Sequence, residues 1–177
     1  MKKTNNLTYG ALFIVLGLLM PMVFHAFKMG GQIFLPMHIP VLLAGLILDP
    51  LYALAVGIIT PILSSILTSM PPLMPMLPIM VFELGSYALT ASLLKKRAKQ
   101  NDIIALIAAM VLGRIVAGIV VYFMVALFSV KLPAPHIFIS TGVVTGLPGI
   151  AVQLVIIPIL MKLFRKTGVI KNYENAK

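Results

Sequence analysis

The stretch "GGQIFLPMHIPVLLAGLILDP", residues 30–50, decides how this chain is counted. Gly30, Gly31, Gln32, Pro36 and His38 lead into an apolar run, Ile39 to Leu48, that ends at the turn signal Asp49-Pro50. Proline lacks a donor N–H and restricts the residue before it. Pro36 and Pro40 therefore predict a membrane span that begins in a non-helical lead-in. Counted this way, the run is the second of six spans, and both termini fall on one side of the membrane.

The composition around it demands a bilayer. Of 177 residues, 60% are hydrophobic and 10% charged, with a mean hydropathy of +1.09; soluble domains use about 45–50% apolar residues. Spans need about 20 apolar residues each, so they consume most of the chain and leave one integral domain. The expected spans are 7–27, 39–48, 51–69, 79–94, 103–130 and 140–164. The fold class is an all-α integral membrane protein of six transmembrane helices. No Ala-x-Ala type cleavage site follows the first apolar run, so that run is expected to stay in the membrane.

Charge sets the orientation. With the amino terminus inside, the inner segments carry Lys2, Lys3, Lys95, Lys96, Arg97, Lys99, Lys162, Arg165, Lys166, Lys171 and Lys177, whereas the outer ones carry only Lys28 and Lys131. This bias puts both termini in the cytoplasm. It also explains the net charge of +10 without a nucleic-acid partner. The segments 30–40, 70–78 and 131–136 then face outward, each with proline and a few polar groups.

Arg114 is the residue most out of place. It sits about twelve residues into the fifth span, roughly 18 Å from the inner surface at 1.5 Å per residue, too deep to reach water easily. Glu83 in the fourth span and Gln153 in the sixth fall near the same depth. An intramembrane ion marks a functional site by default. Glu83 and Arg114 either neutralise each other or contact a ligand, and both hold if a substrate joins the network. The fixed donor fork of arginine suits a carboxylate or phosphate. Gln32, His38 and His136 lie toward the outer ends, with His25 beside them. Ser64, Ser65, Thr68 and Ser69 cluster at the outer end of the third span, where they serve either helix-to-helix hydrogen bonds or a substrate. Gly10, Ala11 and Gly17 form a small-residue patch that lets another helix approach, whether internal or a partner's.

Other chemistry is poorly supplied. Cysteine is absent, which excludes disulfides and thiolate metal sites, and no metal site is expected. No G-x-x-x-x-G-K-[ST] loop is present, and four acidic residues with three histidines are poor material for hydrolysis. The chain is not expected to be an enzyme. No inverted repeat of three plus three spans appears, which disfavours a self-sufficient secondary transporter.

The stretches "FLPMHIPVLLAGLILDP", 34–50, and "GIITPILSSILTSMPPLMPMLPIMVFELGSYALTASLL", 57–94, resemble the substrate-binding S component of energy-coupling factor (ECF) vitamin transporters, in the pantothenate-type group. With the six-span layout the similarity covers most of the chain. The resemblance implies a multi-pass protein of the bacterial plasma membrane that captures a vitamin from outside, its first outer loop closing over the site. It implies a transmembrane coupling subunit and two cytosolic ATPases as partners; ATP and magnesium belong to them, and this chain carries no cofactor. The family docks through an A-x-x-x-A type motif on the first span. Here Ala11 is followed by Val15, so docking is carried only to the face of Gly10, Ala11, Ile14 and Gly17. Pantothenate offers a carboxylate, an amide and two hydroxyls to Arg114, Glu83, Gln153, Gln32, His38, Ser65, Thr68 and His136. Folate, riboflavin, a pyrimidine precursor and cobalamin are rival vitamins. A homo-oligomeric channel or carrier is the alternative of another class, and it requires a polar stripe from surface to surface.

Overall fold

The computed structural model describes residues 3–26, 31–128 and 130–168. These form helices α1 (Lys3–Ala26), α2 (Gly31–Phe34), α3 (His38–Ile47), α4 (Pro50–Thr68), α5 (Met76–Lys96), α6 (Asp102–Phe128) and α7 (Pro135–Lys166). Prolines mark several starts. Pro50 and Pro135 occupy first-turn positions, where the missing N–H costs nothing. Pro21, Pro61, Pro148 and Pro158 lie inside long helices, a placement that neighbouring helices make tolerable in a membrane.

Five helices, α1, α4, α5, α6 and α7, are long and apolar enough to cross a bilayer. The second expected span differs. α3 has 10 residues, about 15 Å at 1.5 Å each, half of a hydrocarbon core about 30 Å thick. All of its residues are buried, so other helices enclose it and lipid does not. Its short length follows from the residues before it, which form the separate turn α2 and a bend at Leu35–Met37. The outer limits of the last span also shift, because α7 starts at Pro135, five residues before the expected boundary at 140.

α5 is the hub, packed against α3, α4 and α6. The α4–α5 seam is close because Gly57 has no side chain: a methyl there would come within 2.5 Å of the Leu84 carbonyl oxygen. Around this seam, Leu42, Leu46, Leu48, Val56, Leu84 and Leu106 form a core with almost no exposure. One end of the bundle is tied by polar contacts. Lys95 Nζ lies 2.8 Å from Asp102 Oδ1, and Arg165 pairs with the other oxygen. Asn6 donates to Asp49 Oδ2 at 2.7 Å and accepts from the Asp49 N–H at 3.1 Å. Ser92 Oγ donates to the Leu48 carbonyl at 2.7 Å. These contacts gather the start of α1, the α3–α4 turn, the α5–α6 turn and the end of α7 at one basic end.

Candidate functional site

Toward the other end, α3, α5, α6 and α7 leave a cavity of about 360 Å³. Each helix supplies a polar side chain to it or to the group behind it. His38 opens α3, Glu83 and Tyr87 stand one turn apart on α5, Arg114 lies midway along α6 and Gln153 along α7. Residues four apart share a helix face, so the Tyr87 hydroxyl reaches Glu83 Oε1 at 2.9 Å. The same oxygen lies 2.9 Å from the Arg114 guanidinium. The His38 and Tyr87 rings are tilted against each other, centroids 5.4 Å apart.

What these groups leave unspent matters more. Both ring nitrogens of His38 and Nε of Arg114 are buried with no hydrogen-bond partner. His38 Nε2 lies 3.9 Å from Glu83 Oε1, beyond hydrogen-bonding distance. Buried polar groups are nearly always satisfied, so three unspent atoms around one cavity point to a missing partner. The rest of the wall is apolar, with Met110, Val111, Ile115, Val143 and Ile150 among its members. Such a lining, with few polar groups at one place, is the usual make-up of a small-molecule site.

Leu35 closes the wall beside His38. Its φ is 50, a left-handed conformation uncommon for a residue with a side chain and opposite to the extended one that a following proline favours. Its carbonyl accepts from the His38 N–H at 3.0 Å and from Gln153 Nε2 at 3.4 Å. The turn is seated on α7 because Gly149 has no side chain, where a methyl would come within 2.6 Å of the Ile33 carbonyl oxygen. Strain of this kind persists where the surroundings hold it, commonly at ligand clamps.

The structure thus brings together Arg114, Glu83, Gln153 and His38. The side chain of Gln32 lies outside the described residues, as does that of His25. His136 is exposed at the start of α7 and does not line the cavity. The hydroxyl cluster is also elsewhere: Ser65 donates to the Pro71 carbonyl at 2.7 Å and Thr68 to the Ser64 carbonyl at 2.7 Å. With Ser64 bonded to the Met70 carbonyl, these hydroxyls hold the loop after α4. The expected docking face is divided between α4 and the surface. Gly10 packs on Val56 and Leu48, and Gly17 on Thr60, so α4 fills that face and leaves Ala11 and Val15 exposed. Ile14 is half-buried against the core.

Two residues that line the candidate site, Tyr87 and Leu35, are not among those the sequence singles out. Tyr87 had a usable signal in its spacing from Glu83, whereas Leu35 looked like any apolar residue in a loop. Among the described residues, no group of three potential ligands is placed to hold a metal ion.

Searches of curated proteins and of solved structures each returned no significant match. The family model for the ECF transporter, substrate-specific component, matches residues 5–161. The chain belongs to that family of membrane-embedded substrate-binding subunits.

Proposed function

We propose that this subunit captures a small water-soluble vitamin bearing a carboxylate, with pantothenate the first candidate, from outside a bacterial cell. The family assignment makes it a substrate-binding subunit that works with membrane and ATPase partners rather than an enzyme. The observation that supports an anionic ligand is Arg114, held at 2.9 Å by Glu83 yet carrying a buried, unspent Nε on the cavity wall. Arginine donors match a carboxylate. A volume of about 360 Å³ stands near the lower limit of ligand pockets, about 300 Å³, and favours a small vitamin over folate or cobalamin. Riboflavin and a neutral pyrimidine lack the carboxylate. In this reading the basic end faces the cytosol, and the exposed Ala11–Val15 ridge of α1 is what remains for the coupling subunit.

A thermal-shift screen of the detergent-purified protein against a vitamin panel tests the reading. Pantothenate at a thousand times its Kd should stabilise the fold by about 4 kcal/mol. Stabilisation by riboflavin or cobalamin instead would refute it.

A further inference from the structure

The charges at the cavity count unfavourably for an anion. Arg114 and Glu83 already cancel at 2.9 Å. A carboxylate entering this apolar-walled site beside the buried pair would add a charge with no counterpart, and an unpaired buried charge is strongly disfavoured. Two ionisable side chains beyond the pair line or back the cavity. The Tyr87 hydroxyl is already engaged as a hydrogen-bond donor to Glu83. His38 is 4% exposed, with both ring nitrogens unpartnered.

We propose that the site takes two ligands together: the vitamin carboxylate and a proton, the proton on His38. The inference rests on the carboxylate reading given above. The balance closes. A neutral site, a carboxylate and one proton from solvent give a complex with two positive groups, Arg114 and the His38 imidazolium, and two negative ones, Glu83 and the ligand. No bond to carbon changes. His38 Nε2, already 3.9 Å from Glu83 Oε1, needs only a small approach to donate there or to the ligand.

No other charge takes this role among the described residues. Glu83 and Tyr87 face His38 from α5 and Arg114 from α6, while the polar residue from α7, Gln153, does not titrate. Of the remaining helices packed on α3, α4 has only Tyr52, in its first turn, and α1 has Lys3 and Tyr9 near the basic end; α1 also holds His25 in its last turn, whose side chain lies outside the described residues.

Calorimetry of the intact purified chain with pantothenate, in two buffers of different ionisation enthalpy near neutral pH, counts the protons. About one should be taken up per ligand. Affinity should fall about tenfold per pH unit where the free imidazole is already neutral, because the proton is drawn from a more dilute pool. In His38→Gln both effects should vanish. Panthenol, the uncharged alcohol analogue, should bind without a proton. Pantothenate bound with no uptake and a flat pH profile would overturn the inference and leave the ligand class standing. Another carboxylate vitamin bound with one proton would replace pantothenate and support the inference. Binding of an uncharged vitamin alone, or of none in the panel, would overturn both. The proton count on the unmodified protein decides the matter even if His38→Gln fails to fold.

Discussion

The basic end of the bundle and the cavity toward its other end both hold buried or half-buried ion pairs, but they differ in what is left over. At the basic end Asp102 engages Lys95 with one oxygen and Arg165 with the other, and Asn6 and Asp49 bond each other reciprocally. In the cavity Glu83 is saturated on one oxygen by Arg114 and Tyr87, while His38 and Arg114 Nε remain unspent. At the basic end each carboxylate oxygen of Asp102 has an opposite charge against it, although its Oδ1 meets Lys95 as an ion pair without hydrogen-bond geometry; in the cavity both His38 nitrogens lack a hydrogen-bond partner, a cost that a ligand can relieve. The first reads as scaffold, and the second is the candidate site.

Breaking the cavity pair gives the largest expected effect. Arg114→Ala should weaken binding of an anionic ligand by about 2–5 kcal/mol, read by calorimetry on protein that remains monodisperse. Full affinity in a folded Arg114→Ala protein would show that the pair belongs with the scaffold. Next comes the seam that carries the site. In Gly57→Ala the added methyl meets the Leu84 carbonyl at 2.5 Å, and the shift of α4 from α5 should cost about 1–3 kcal/mol of stability, seen as a lower unfolding temperature in detergent. The smallest effect should come from Ser65→Ala. It removes one hydrogen bond to the Pro71 carbonyl, about 1 kcal/mol, and should leave ligand affinity unchanged. A loss of affinity there would return the hydroxyl cluster to the site.

Arg114, Glu83 and Gln153 were legible early because an ion or amide deep in an apolar span is expensive wherever the helices go. Their shared depth followed from counting residues along each helix. Tyr87 was hidden, since a tyrosine in a span is unremarkable until its hydroxyl is seen on Glu83. Ser65 and Thr68 stay open to two readings from sequence: hydroxyls near a helix end can bond their own loop, and hydropathy does not say which carbonyl they will find. The patch of Gly10 and Gly17 shows the same limit. Spacing puts both on one face, but only packing reveals that α4 covers it.

The sequence by itself determined the membrane class, the all-helical fold and the segregation of basic segments, because transfer free energy and charge act residue by residue along the chain. Tertiary structure decided that α3 is a half-length helix enclosed by others, that Leu35 takes a left-handed turn against Gly149, and that His38 stands unpartnered beside Glu83 and Arg114. Those features depend on distances between atoms far apart in the chain, which only the packed bundle brings together.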